Sequence, residues 1–300
     1  RSSDLVTAFG VGFVIRPLGA ILIGAYADRA GRKPAMLLTL FLMALGTGGI
    51  AVLPGYDSIG PAAPLLLVLT RLLQGLAWGG EAGPATTYIL EAAPPHKRGT
   101  YACWQVVAQG IAAVAAGLMG YLLTLWLDER QLQEWGWRIP FVIGAITAVI
   151  ALWLRRSLNE TASKSTLERK ESGTFAELFK HKRAFFTVLG FTAGGSLIFY
   201  TFTTYMQKYL VNTAGMSAKT ASAVMTFALL AYMLMQPLFG MLSDRIGRKT
   251  SMLWFGTLGT LCTLPILLAL KTVSSPYMAF FLIILALAIV SLYKIGRAHV

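Results

Sequence analysis

The chain has 300 residues, of which 56% are apolar and only 13% are charged, and its mean hydropathy is +0.63. This composition leaves too few polar residues to cover a soluble protein, so it excludes a soluble domain and predicts a protein that lies in a bilayer. The formal net charge of +13 does not indicate nucleic acid, because the cations fall in alternate loops between apolar segments.

Nine apolar segments are long enough to cross a membrane, since about 20 residues in a helix span roughly 30 Å of hydrocarbon. The sequence therefore predicts an all-α membrane protein. In chain order the predicted spans cover residues 5–26, 35–53, 64–91, 100–126, 138–154, 185–211, 219–241, 250–270 and 277–293.

Lysine and arginine are concentrated in every second loop, which is typical of loops that face the cytoplasm. The intervening loops are poor in cations and are predicted to face outward. The cation-rich loops are 27–34, 92–99, 155–184 and 242–249.

The longest polar stretch separates five predicted spans from four and is interpreted as a cytoplasmic linker. The last seven residues break the apolar pattern of the span before them, so they are predicted to be a non-native tail. The predicted parts are an N-terminal bundle, 1–154, a linker, 155–184, a C-terminal bundle, 185–293, and the tail, 294–300.

The two cysteines, Cys103 and Cys262, lie in different predicted spans, and no Cys-x-x-Cys or Cys/His spacing typical of a metal site occurs. Neither a disulfide nor a metal or other cofactor is predicted. The sequence also shows no nucleophile with a partner base and no phosphate-binding glycine loop, so an enzyme is not expected.

A polar hexapeptide interrupts the apolar sequence twice, as Asp-Arg-Ala-Gly-Arg-Lys at 28–33 and as Asp-Arg-Ile-Gly-Arg-Lys at 244–249. Both copies join two apolar spans, which predicts two homologous halves. We expect Asp28 at the start of the following helix, where its charge favours the positive end of the dipole, and Gly31 in a sharp turn.

With their flanking residues, segments 24–33 and 240–249 resemble the loop motif of the major facilitator superfamily between helices 2 and 3 and between helices 8 and 9. The resemblance implies a twelve-helix fold in which the nine spans are helices 2 to 10. It also implies that the motif is a conformational latch between access states. The latch residues would be Asp28, Arg29, Gly31, Arg32, Asp244, Arg245, Gly247 and Arg248.

Three further segments, 16–19, 71–81 and 134–140, resemble the metabolite:proton symporter branch of that superfamily, and residues 184–216 resemble a carrier of an oxo-dicarboxylate within it. The resemblance implies alternating-access symport of a small carboxylate with a proton, by a multi-pass monomer in a bacterial inner membrane. It implies neither a cofactor nor nucleic acid as a partner. Citrate, shikimate and proline or betaine remain alternative substrates, and a sensor of the same fold that does not transport is a second hypothesis.

Arg16 lies near the middle of the first span, where an unpaired charge costs about 3 kcal/mol or more. Its planar fork can donate two hydrogen bonds to one carboxylate, so it is a candidate substrate clamp. The alternative is a structural ion pair with an acid on helix 1 of the twelve-helix fold, which the nine predicted spans do not include.

Arg71 and Glu81 lie ten residues apart in one span, roughly 15 Å along a helix, so each needs its own partner. The resemblance associates Arg71 with proton coupling, although hydrogen bonds to carbonyl groups of a neighbouring helix would also explain it. Glu81 is the only acid deep in a span and is a candidate proton-coupling site.

The second half offers Tyr200 and Lys208 as donors to an anionic substrate. Lys208 lies close to the outer end of its span, so extension of its amine to the interface is the alternative explanation.

Overall fold

The structure is a computed structural model, and it describes residues 10, 12–161, 182–273 and 275–296. Within these residues, eight helices are long and apolar enough to cross a membrane. A further helix, Arg16–Ala30, overlaps the predicted span 5–26 but is not one of the eight, and the first residues of that span lie outside the described ranges. The prediction of an all-α fold with about nine of twelve membrane helices is confirmed.

A π-helical segment, Thr201–Tyr205, lies between the helices Lys182–Tyr200 and Met206–Asn212 within one span. The helices are α1 Arg16–Ala30, α2 Arg32–Ala51, α3 Tyr56–Ile59, α4 Ala62–Ala92, α5 Arg98–Trp126, α6 Glu129–Glu134, α7 Ile139–Arg156, α8 Lys182–Tyr200, α9 Met206–Asn212, α10 Ala218–Ile246, α11 Arg248–Thr272 and α12 Pro276–Gly296.

The chain divides into two compact units, and the first comprises Arg1–Ala92 and Val114–Leu178. In this unit α2 packs against α4 and α7, and α1 packs against α4. The backbones of α1 and α4 almost touch, because a Cβ on Gly19 would lie 2.2 Å from the Leu76 carbonyl oxygen and a Cβ on Gly79 would lie 2.1 Å from that of Arg16. Small residues at such crossings permit close helix packing in membranes.

The second unit comprises Ala93–Ala113 and Phe179–Val300. Its core consists of apolar side chains from α9, α10, α11 and α12 together with the π-helical segment. The first half of α5 therefore groups with the second unit, whereas the sequence analysis assigned it to the N-terminal bundle. The predicted boundaries at 154 and 184 stay predictions.

Each hexapeptide forms a one-residue turn between two helices. Gly31 has φ +108° and Gly247 has φ +85°, a backbone region that residues with a side chain rarely adopt. The expected glycine turn is confirmed at Gly31, but the expected position of Asp28 is wrong. Asp28 lies in the last turn of α1, and Asp244 likewise lies in the last turn of α10, because each helix runs two residues past its aspartate.

Candidate functional site

Two arginines line one cavity of about 240 Å³ inside the first unit. Arg16 comes from α1 and Arg71 from α4, and the close crossing of these helices brings them to the same space. The sequence placed both in spans but did not predict that they share a cavity. The other residues that line it are Gly12, Phe13, Met43, Gln74, Gly75 and Trp78.

Aromatic rings hold the Arg16 guanidinium. Its central carbon lies 3.6 Å from the centroid of the Phe13 ring and 4.1 Å from that of the Trp78 ring. Its Nε is buried and has no hydrogen-bond partner in the described part of the chain. No described acid forms an ion pair with it either. The alternative partner, an acid on helix 1, stays a prediction.

A neutral amide holds the Arg71 guanidinium. Nη1 of Arg71 donates to Oε1 of Gln74 at 3.0 Å, and Nε2 of Gln74 donates to Oγ1 of Thr47 on α2 at 3.0 Å. The Arg71 guanidinium also lies 5.9 Å from the Phe141 ring centroid. Among the described residues, its hydrogen-bond acceptor is thus an amide on its own helix and not a carbonyl of a neighbouring one.

Glu81 belongs to a separate cluster. Its Oε1 lies 2.5 Å from Nη1 of Arg155 on α7, and its Oε2 accepts a hydrogen bond from the Thr39 hydroxyl on α2. Arg71 and Glu81 therefore have different partners, as their spacing requires. From the sequence, Arg155 was predicted only to be one of the cations of a cytoplasmic loop. Its position at the very end of an apolar span, on the same side as the end of α4, was the signal that could have paired it with Glu81.

Tyr200 and Lys208 belong to the second unit and are both solvent-accessible. The Tyr200 ring packs edge to face on Phe199, with centroids 5.4 Å apart. The π-helical segment begins directly after Tyr200, a feature that the sequence did not predict and that is frequent at functional sites. Lys208 makes neither a hydrogen bond nor an ion pair with another described residue.

The first hexapeptide copy is held by three carboxylates. Asp28 pairs with Arg32 at 2.7 Å, and Arg32 Nε lies 3.7 Å from Oε1 of Glu91 at the end of α4. The carboxylate of Glu160 accepts the backbone N–H groups of Arg32 and Lys33 at 2.9 and 3.0 Å. The acid at the start of α2 is therefore Glu160, from the beginning of the predicted linker.

The second copy holds the start of α5. One Asp244 oxygen accepts the backbone N–H of Gly99 at 2.8 Å, and the other accepts the backbone N–H and the hydroxyl of Thr100 at 2.8 and 2.7 Å. Arg248 pairs with Asp244 and donates to the Ser243 hydroxyl at 2.6 Å. Asp244 therefore satisfies the free N–H groups of a helix remote in sequence.

The two arginines within each copy of the hexapeptide differ in exposure. Arg29 and Arg245, the second residue of each copy, are exposed, whereas Arg32 and Arg248 are partly buried. The fifth residue of each copy, Arg32 or Arg248, therefore forms the ion pair with the aspartate of the same copy.

The sequence matches the family described as Major Facilitator Superfamily over residues 2–296. It is 54% identical over 285 residues to the alpha-ketoglutarate permease of Escherichia coli K12, and the matched region covers 95% of this chain and 66% of the permease. It is 39% identical over 265 residues to a citrate-proton symporter of Salmonella typhi, which covers 86% of this chain and 60% of the symporter. The chain thus spans less than two thirds of the length of each of these relatives.

The structure also resembles solved structures. A partially occluded, inward-open structure of the xylose transporter XylE from Escherichia coli superimposes with a TM-score of 0.66, over 99% of this chain and 75% of that one. The sequences are 19% identical, so this likeness concerns the fold alone.

Proposed function

The chain belongs to the Major Facilitator Superfamily, and from this premise we propose that the full-length protein carries alpha-ketoglutarate into the cell together with protons. Family and relatives are transporters rather than enzymes, and the chain is a multi-pass protein of the inner membrane. The proposed transport proceeds by alternating access.

The observation that carries the substrate assignment is the cavity with two guanidinium groups. Within the described residues, neither Arg16 nor Arg71 is paired with an acid, and both line the same space. Two cations within the membrane require compensation, and a substrate with two carboxylates supplies one anionic group for each. A zwitterion such as proline or betaine would leave one guanidinium uncompensated.

Two of the relatives support an anionic substrate. One is named for alpha-ketoglutarate and another for citrate, and the identity to the first is 54% compared with 39% to the second. Tyr200 and Lys208 remain proposed substrate donors of the second unit. Shikimate and citrate carriers are the competing assignments within the family, and a sensor without flux competes from outside the transporter class.

For proton coupling we propose Glu81 together with Arg71. Protonation of Glu81 would remove the negative charge that holds Arg155 at 2.5 Å and would release that arginine. The hexapeptide residues Asp28 and Asp244, with their ion-paired arginines, are the proposed conformational latch. In this proposal the two ion pairs, and the hydrogen bonds of Asp244 to the start of α5, are made in one access state and broken in another.

The test is uptake of labelled alpha-ketoglutarate by energised cells that express the full-length protein, with and without a protonophore. Arg16→Ala is compared with Arg130→Ala, because Arg130 is 86% exposed and pairs only with Glu134 among the described residues. Saturable uptake that the protonophore and Arg16→Ala abolish, and that Arg130→Ala leaves intact, supports the proposal. Saturable proline or betaine uptake instead would overturn the substrate, and absence of any flux would favour the sensor.

A further inference from the structure

We propose that Trp78 is a positioning residue that fixes the Arg16 guanidinium for in-plane contact with a substrate carboxylate. The inference rests on the proposed function, because it assigns to Trp78 a role in the same cavity. Trp78 lies on α4, seven residues after Arg71, and lines the cavity together with both arginines.

The geometry points to the rings as the groups that orient Arg16. The Phe13 and Trp78 centroids lie 3.6 and 4.1 Å from the guanidinium carbon, within the range of cation–π contacts. The buried Nε has no hydrogen-bond partner among the described residues, so hydrogen bonds through this atom do not orient the group. Ring contacts leave the in-plane N–H groups available, and these are the donors that a carboxylate accepts in a bidentate pair.

The backbone of Arg16 is fixed by the same part of α4. A Cβ on Gly79, the residue after Trp78, would lie 2.1 Å from the Arg16 carbonyl oxygen. One turn of α4 therefore sets both the position of the Arg16 backbone, through Gly79, and the direction of its head group, through Trp78. Arg16 needs little reorganisation when a carboxylate arrives, which is the condition for preorganised binding.

Loss of the Trp78 ring should then weaken binding rather than the transport cycle. In Trp78→Leu the guanidinium gains rotational freedom that a bound carboxylate must remove, so we expect KM for alpha-ketoglutarate to rise about fivefold. Vmax per protein in the membrane should change less than about twofold, because no group of the cycle is removed. Trp78→Phe keeps an aromatic face and should restore most of the affinity.

The experiment compares the wild type, Trp78→Leu and Trp78→Phe with Trp153→Leu as the control, in the full-length protein. Trp153 is 70% exposed on α7 and stacks on no described arginine. KM and Vmax are measured by uptake, and the rate at which phenylglyoxal modifies Arg16 is measured by peptide mass spectrometry without substrate. The second readout is independent of what the protein carries.

The proposal expects a higher KM and faster modification of Arg16 in Trp78→Leu only, with Trp78→Phe and Trp153→Leu close to wild type. Equal modification rates in wild type and Trp78→Leu would overturn it, as would Trp78→Phe behaving like Trp78→Leu. If the wild type takes up no dicarboxylate while the modification rates differ as expected, the proposed function fails and the orienting role of Trp78 stands.

Discussion

Replacement of Asp244 by alanine should loosen the start of α5. The Asp244 side chain is only 10% exposed, and it accepts two backbone N–H groups and a hydroxyl from Gly99 and Thr100 besides its pair with Arg248. The change removes a helix cap and leaves a partly buried arginine without its acid. Loss of one partner of a buried ion pair lowers the free energy of unfolding by about 3 kcal/mol or more. Loss of a helix cap by itself lowers it by about 1 kcal/mol.

The first hexapeptide copy offers a matched comparison. Asp28 is 45% exposed, and its partner in the described structure is Arg32. An exposed ion pair of this kind contributes less than about 1 kcal/mol. Asp28→Ala should therefore destabilise its helix end far less than Asp244→Ala, although the two aspartates occupy the same position in the motif.

The assay is maleimide labelling of Cys103 in a Cys262→Ser background. Cys103 is buried three residues after Thr100, and its Cβ packs near Gly240. When closing is faster than labelling, the rate follows the open population, so about 3 kcal/mol corresponds to a roughly 100-fold increase in Asp244→Ala. Asp28→Ala should leave the rate close to wild type, because its partner in the described structure, Arg32, lies at the start of α2 and not of α5. If Cys103 is labelled in Asp244→Ala at the wild-type rate, the Asp244 side chain does not hold the start of α5.

Three further changes test other contacts. Glu160→Ala removes the acceptor for two backbone N–H groups at the start of α2. It should lower the free energy of unfolding by about 1 kcal/mol, measured as a lower thermal midpoint in detergent. An unchanged midpoint would contradict the contact. Gly79→Ala should greatly reduce the yield of folded protein because its Cβ meets backbone at 2.1 Å, whereas Gly83→Ala, with nothing within 4 Å, should not. Glu81→Gln alone should destabilise the protein more than Glu81→Gln combined with Arg155→Gln, since the single change leaves Arg155 without its acid. Additive changes in the free energy of unfolding in the double-mutant cycle would argue against the pair.

The helices and their turns were predictable because their signals are local. Apolar length marks a span wherever it occurs, and a glycine between two apolar segments permits the one-residue turn seen at Gly31 and Gly247. The choice of Arg16 as a candidate substrate clamp also came from its position within a span. These properties depend on a residue and its neighbours in the chain.

The contacts between helices were not predictable from one sequence. Asp244 caps a helix that begins almost 150 residues earlier, and the acid at the start of α2 is Glu160 from the predicted linker. Arg16 and Arg71 meet because glycines allow α1 and α4 to touch, and no local pattern specifies which glycine faces which backbone. The π-helical segment after Tyr200 likewise had no signal in the sequence.

Symport of alpha-ketoglutarate with protons can be measured as proton entry into proteoliposomes. The full-length protein is reconstituted with a pH-sensitive dye in the lumen, and alpha-ketoglutarate is added outside with no imposed pH gradient. A symporter carries protons in with the dicarboxylate, so the lumen should acidify, and Arg16→Ala should abolish the signal while Arg130→Ala preserves it. Entry of alpha-ketoglutarate without acidification would contradict proton coupling. Acidification only with proline or betaine would contradict the proposed substrate.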